Sequence, residues 1–176
     1  VPWTMVDGST AVRLTLRDVS LPAEYRLLGG MVAIDQAQAT AQLARAAEAL
    51  GIMERMFSET IDYLRTRQQF GVKIGSFQAI QHRMVVQYAV KEQLRGLVNQ
   101  AIAKWGKHGF ARSAFGANSY LALEGLQFGH DMIQFHGGMG VTEELGIGQA
   151  HKRLLVLTHW PFAPDVALKR FVELCT

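Results

Sequence analysis

Two short stretches carry side chains whose types and spacing could act on an anionic or polarisable ligand. In Arg65-Thr66-Arg67-Gln68-Gln69-Phe70-Gly71, two guanidinium groups close a helical pattern beside a glycine-broken loop. Cations at a helix C-terminus complement its dipole, a reading that needs no ligand. The alternative is that the planar fork of Arg67 grips a diphosphate. In Gln134-Phe135-His136-Gly137-Gly138-Met139-Gly140-Val141-Thr142-Glu143-Glu144, three glycines fall within four residues. That is more than a helix cap requires, and bare backbone lets a ligand approach closely. The adjacent Glu143 and Glu144 are either a solvated acidic pair or a carboxylate held on a loop as a base. A third cluster, Lys152-Arg153 with His151 and His159, is either a solvated basic face or an anion site.

Other chemistries find no support. The Gly138-Met139-Gly140 triplet follows a helical pattern, lacks a third glycine and opens no helix from a strand, so it is no dinucleotide fingerprint. No Glu-x-x-His pair, no zinc-type His-Glu-x-x-His and no Gly-x-Ser-x-Gly elbow occurs, and no metal site is expected. The six histidines are scattered. Trp105 and Phe110 flank a loop and are expected in the core rather than as stacking platforms.

The elements that must position these residues are mostly helical. The chain has 176 residues, 49% hydrophobic and 19% charged. That suits a globular fold and excludes disorder. No apolar run of about 18 residues suggests a membrane span, and no basic-then-apolar leader opens the chain. It begins with Val1 rather than Met, so the natural N-terminus is expected upstream. The single cysteine, Cys175, excludes an internal disulfide and favours a reducing, cytoplasmic setting. The net charge of +3 is too mild and too dispersed to indicate nucleic acid.

Ala11 to Val19 alternates, with Val12, Leu14 and Leu16 on one face, which predicts a half-buried strand after an Asp7-Gly8-Ser9 turn. No partner strand is evident, so residues 1–30 read as the tail of a β domain. From about 33 to 68 the period becomes helical, with Leu43, Ala47, Leu50, Met53 and Phe57 on one stripe. Further helices are predicted near 77–105 (N-capped by Ser76), 110–136, 147–158 and 163–174. Residues 31–176 are thus expected to form a mainly α, up-down four-helix bundle.

Together these pieces resemble the C-terminal part of a flavin-dependent acyl-CoA dehydrogenase, over essentially the whole chain. Met5 through Gly29 is similar to the end of that family's middle β domain and the link out of it. Tyr63 through His82 resembles its first C-terminal signature, and Gln134 through Glu144 its second. The run His136 to Gly140 with Thr142-Glu143-Glu144-Leu145, Gly148 and Lys152-Arg153-Leu154 resembles the small subunits of heteromeric members, of the pimeloyl-CoA and steroid side-chain kind.

The resemblance implies FAD at the junction of the bundle, the β domain and a neighbouring subunit. By it, Arg67 would pair with the FAD diphosphate, Phe70 would pack on the cofactor, and Gln78 would hydrogen-bond near its adenosine half. Gln134, Gly137 and Gly138 would meet the adenine side. Glu144 would be the base of an α,β-dehydrogenation, removing the α-proton of an acyl-CoA while hydride passes to the flavin. An electron-transfer flavoprotein would accept the electrons, and the assembly would be a homo- or hetero-oligomer, with no nucleic-acid or membrane partner. The acyl pocket is expected near Phe57 and Glu59. Two rivals stay open: a non-catalytic subunit that completes a partner's flavin site, and a plain helical oligomerisation domain.

Overall fold

The computed structural model describes residues 1–26 and 28–175; Leu27, within the segment read as a link, and Thr176 lie outside it. Five α-helices are present among the described residues: α1 Gly30–Thr66, α2 Gln78–Ala103, α3 Phe110–His136, α4 Ile147–His159 and α5 Pro164–Glu173. Helices α1, α2 and α3 run up, down and up, and α3 is the central one, packing against the other four. The mainly α bundle expected from the periodicity is the observed fold.

Burial follows the helical repeat. On α1 the core residues are Ala39, Leu43, Ala46, Leu50, Met53, Met56, Thr60 and Leu64, at spacings of three and four. Ala46, not Ala47, occupies the stripe, and Phe57 sits at its edge. Phe128, Met132 and Leu121 of α3 and Leu154 of α4 close the centre. Small residues let the helices approach. At Gly125 a Cβ would lie 2.9 Å from Thr158 of α4, and at Gly116 it would lie 3.0 Å from Phe171 of α5.

The N-terminal segment departs from expectation. It holds two short strands, β1 Pro2–Thr4 and β2 Thr10–Val12, paired antiparallel with Trp3 opposite Ala11. The strand therefore has a partner, reached through the Asp7-Gly8-Ser9 turn. The pairing continues one residue past Val12, where the Arg13 N–H donates to the Val1 carbonyl at 3.1 Å. Ala11 faces inward, and Val12, Leu14 and Leu16 face out. Ser76 does not cap α2: its hydroxyl donates to the Lys73 carbonyl at 2.7 Å, and Phe77 occupies the cap position.

Candidate functional site

Helix α1 ends where Arg67 turns extended (φ −67°, ψ 127°) while its N–H still donates to the Tyr63 carbonyl. The chain then makes a two-residue hairpin, β3 Gln68–Gln69 against β4 Val72–Lys73. Its turn residues, Phe70 and Gly71, both lie at positive φ, +56° and +77°. Such mirror-image turns match the twist of a hairpin but ordinarily take Asn or Gly. A phenylalanine there stores strain of about 1–3 kcal/mol, which tends to persist where function requires it. Phe70 is 91% exposed, and its ring touches Phe77 edge-on at 6.3 Å. The fold thus holds an apolar ring in solvent at a conformational cost. Gly75 seats the following turn on α1, where a Cβ would come within 2.8 Å of the Leu64 carbonyl oxygen. Gln78 is the first residue of α2, exposed on the same side. The Arg67 guanidinium is exposed and has no partner among the described residues.

The second stretch ends α3. Gly137 (φ +58°, ψ −139°) reverses the chain into a 3-10 turn over Gly137–Val141. Gln134, Gly137 and Gly138 are exposed, whereas Gly140 is buried. A Cβ on Gly140 would stand 2.5 Å from the Ile133 carbonyl oxygen.

Tyr63 brings the two stretches together. Its hydroxyl donates to the His136 carbonyl at 3.3 Å, and its ring stacks on the His136 ring with centroids 4.5 Å apart. Arg67 lies one helical turn beyond Tyr63, and Gly137 directly follows His136. Arg67, Phe70 and Gln78 therefore share one end of the bundle with Gln134, Gly137 and Gly138.

Glu144 lies on the loop that follows the 3-10 turn Gly137–Val141 and stays beside it, where a Cβ on Gly148 would lie 3.5 Å from the Gly140 carbonyl oxygen. Its loop passes α1 at Arg55, whose Nη2 lies 3.1 Å from where a Cβ on Gly146 would be. Arg55 is 12 residues before Arg67, about 18 Å along the helix. Glu143 and Glu144 are both exposed, and Glu143 reaches Lys152 Nζ at 3.9 Å. Phe57 lines an apolar groove of 470 Å³ with Ile61, Leu64, Ile80, Met84 and Tyr88. Glu59 is not in its wall and pairs with Arg55 at 2.7 Å.

In the Lys152-Arg153 cluster the Arg153 guanidinium is already taken. Arg153 spends its fork on Glu48 (2.7 and 3.0 Å) and on Asp7 (2.9 Å). These partners arrive from 105 and 146 residues away in sequence, which no local spacing reveals.

The sequence reading missed a cavity of 710 Å³ at the opposite end of the bundle, walled by Asp35, Lys104, Trp105, Lys107, His108 and Arg112. Trp105 is not core: it is 55% exposed, with Phe110 at 5.0 Å between centroids. Lys104 is half-buried, and neither it nor Arg112 has a hydrogen-bond or ion-pair partner among the described residues. Helix α3 opens into the cavity with no capping side chain and no acidic residue in its first turn. Lys104, Lys107 and Arg112 outnumber the single carboxylate of the wall, Asp35. The density of Lys and Arg across 104–112 was the available signal.

Also missed was the buried carboxylate of Asp131. It accepts from Arg83 (2.6 Å), Gln87 (2.7 Å) and Gln127 (3.0 Å), joining α2 to α3 beneath Phe135. Arg83 also lies over the Phe135 ring at 4.8 Å.

Comparison with known proteins places this arrangement. The family model described as the C-terminal domain of acyl-CoA dehydrogenase matches residues 29–161. Acyl-CoA dehydrogenase IpdE2 of Mycolicibacterium smegmatis is 36% identical over 65% of this chain and 35% of its own length. Mitochondrial isovaleryl-CoA dehydrogenase of Pongo abelii is 32% identical over 81% of this chain and 34% of its own length. Among solved structures, the steroid ACAD Tcur3481–Tcur3483 superposes with a TM-score of 0.90 at 28% identity, over 99% of this chain and 47% of that one. The ChsE4–ChsE5 complex of Mycobacterium tuberculosis gives 0.86 at 26% identity, over 98% and 47%. The chain thus spans about a third of these curated relatives and under half of the solved chains. No helix among the described residues is long and apolar enough to cross a membrane. The chain belongs to the acyl-CoA dehydrogenase family, as its C-terminal helical domain.

Proposed function

We propose that this chain is the C-terminal part of a cytoplasmic, FAD-dependent acyl-CoA dehydrogenase that oxidises an acyl-CoA to its α,β-unsaturated thioester. The observation that carries the reading is the Tyr63–His136 contact, which fastens the two signature stretches into one exposed surface. An unpartnered guanidinium, a strained solvent-facing ring and bare glycine backbone suit a diphosphate joined to a planar base. In this reading Arg67 holds the FAD diphosphate, Phe70 packs on the cofactor and Gln78 bonds near its adenosine. Gln134, Gly137 and Gly138 line the adenine side. Bound FAD supplies the hydride acceptor. Residues 1–30 are then the tail of a β domain, and 31–176 the bundle that docks on it.

The Lys104 cavity suits the other end of the reaction. Three cations, a helix N-terminus and the exposed Trp105 ring are matched to the phosphates and base of coenzyme A. Helix α1 has 37 residues, about 55 Å, and Asp35 and Arg67 are about 48 Å apart along it. A thioester and the flavin that oxidises it must touch, so the two ends of one chain serve two different active centres. Each centre therefore needs a second subunit, identical or not. An electron-transfer flavoprotein is the expected oxidant of the reduced enzyme.

Glu144 is the base in this reading, taking the proton α to the thioester carbonyl. A carboxylate does this efficiently once the acyl chain strips it of water, which raises its proton affinity. The Arg55 side of α1 faces nearly opposite to Phe57, two residues and about 200° on. The acyl chain that meets Glu144 thus runs outside the Phe57 groove.

The exposure of Glu144 favours a second reading, in which the chain only completes a partner's flavin site. The test is a visible spectrum of the full-length protein, alone and with its neighbouring subunit, titrated anaerobically with acyl-CoAs. Flavin that bleaches in wild type and not in Glu144→Gln supports Glu144 as base. Bleaching retained in Glu144→Gln refutes that role and supports the second reading. Absence of flavin with either preparation refutes both.

A further inference from the structure

The Tyr63–His136 contact is built with more care than helix packing needs. The His136 carbonyl lies where α3 ends and at the cap position of the 3-10 turn Gly137–Val141 that follows. The Tyr63 hydroxyl donates to it from α1 at 3.3 Å. His136 is buried, and its Nδ1 lies 2.8 Å from the Met132 carbonyl oxygen. A carbonyl only accepts, so Nδ1 carries the proton and the ring orientation is fixed. The Tyr63 ring then lies on that fixed surface, with centroids 4.5 Å apart and planes 32° apart. One peptide group, His136–Gly137, is thus held from two directions at the point where the chain turns through φ +58°. That peptide sets the direction in which the glycine backbone leaves α3. Tyr63, one turn before Arg67, ties the same peptide to the end of α1.

We infer that Tyr63 and His136 are positioning residues for the flavin: they set the spacing between the Arg67 guanidinium and the Gly137–Gly138 backbone without touching the ligand themselves. This rests on the reading that FAD binds across that surface. A diphosphate and an adenine joined covalently are recognised at a fixed separation, so two contact groups on separate helices must be pre-set to that separation or lose affinity in adjusting. Thr66 spends its hydroxyl on the Asp62 and Tyr63 carbonyls of its own helix, so Tyr63 supplies the hydrogen bond between the two helix ends among the described residues.

The experiment measures the FAD dissociation constant and the bound-flavin absorption spectrum of the full-length protein with its partner subunit. It compares wild type, Tyr63→Phe, Arg67→Ala and the double variant, with the melting temperature of each apoprotein. Tyr63→Phe keeps the stacked ring and removes only the hydroxyl. The expected result is a 2- to 12-fold rise in the dissociation constant, the range of one hydrogen bond. The apoprotein melting temperature should be unchanged, and the effect should shrink on the Arg67→Ala background because the two act on one contact. If Arg67→Ala weakens FAD and Tyr63→Phe does not, the positioning role is overturned while the flavin surface stands. If Tyr63→Phe weakens FAD but lowers the melting temperature and adds fully to Arg67→Ala, the pair is merely structural and the proposal fails. If neither variant changes FAD binding, the flavin surface itself is misassigned.

Discussion

Arg153 of α4 holds Asp7 of the N-terminal hairpin at 2.9 Å, across 146 residues of sequence. The same guanidinium forks onto Glu48 of α1, so one side chain joins the hairpin, α1 and α4. Trp3 against Trp160, at 6.0 Å, adds a second attachment. The Asp7 carboxylate also accepts from the Ser9 hydroxyl (2.6 Å) and the Ser9 N–H (3.0 Å). Ser9 first, and Arg153 after it, hold this carboxyl down at about 2, against an ordinary 3.8. A lowered carboxylate pKa contributes stability that is complete above the unfolded value and lost as pH falls toward the folded one. Urea melts between pH 5 and pH 2 should therefore show a loss beginning near pH 4. Asp7→Asn should be less stable at pH 7 and lack that step. An unchanged acid limb in Asp7→Asn would show the joint to be idle.

His151 predicts a second, separate acid window. Burial, and then the His130 ring at 5.0 Å, lower its pKa from the usual 6.5. Its Nδ1 is buried without a hydrogen-bond partner among the described residues, against Gly129 of α3. The folded state favours the neutral ring. Stability from this group is full above pH 6.5 and declines as pH drops toward the lowered value. His151→Gln should flatten the stability profile between pH 7 and pH 5 and leave the Asp7 window untouched. A slope identical to wild type would transfer the effect to another group.

The helices were legible because their signals are local. The predicted ranges 77–105, 110–136 and 147–158 meet α2 Gln78–Ala103, α3 Phe110–His136 and α4 Ile147–His159 within two residues at each end. Glycine punctuation and apolar period are enough for that. The pairing of Thr10–Val12 with Pro2–Thr4 was not legible, because the alternation of Val12, Leu14 and Leu16 does not name a partner strand. Arg67, Phe70 and the glycines stood out by type and spacing. The strain at Phe70 is a backbone fact that composition does not carry. Arg153 illustrates the limit: the sequence left a solvated basic face and an anion site both open, and only the folded chain brings Glu48 and Asp7 to its guanidinium. The tie between Tyr63 and His136 spans 73 residues and was invisible for the same reason.

Gly140 is predicted to be intolerant for the fold itself. A Cβ there meets the Ile133 carbonyl oxygen at 2.5 Å and the His136 Cβ at 3.1 Å. The first is backbone of α3 and cannot rotate away. Gly140→Ala must shift the 3-10 turn off the helix end, at a cost of about 1–3 kcal/mol. Thermal melts would read this directly, and a melting temperature equal to wild type would mean the turn relaxes freely.

Gly138 separates fold from ligand. Among the described residues nothing lies within 4 Å of a Cβ built on it, and its φ lies outside the left-handed range. By the fold alone, Gly138→Ala should fall within about 0.5 kcal/mol of wild type. If the bare backbone at Gly138 is where the adenine side of FAD approaches, one added methyl stands in the ligand's place. The expected outcome is an unchanged melting temperature with weakened flavin retention on gel filtration of the full-length protein. Gly137→Ala is the contrast, because its φ of +58° makes any side chain strained, so stability and retention should fall together. Full flavin retention in Gly138→Ala would mean the ligand does not use this stretch of backbone, and Arg67 would then need another partner for its charge.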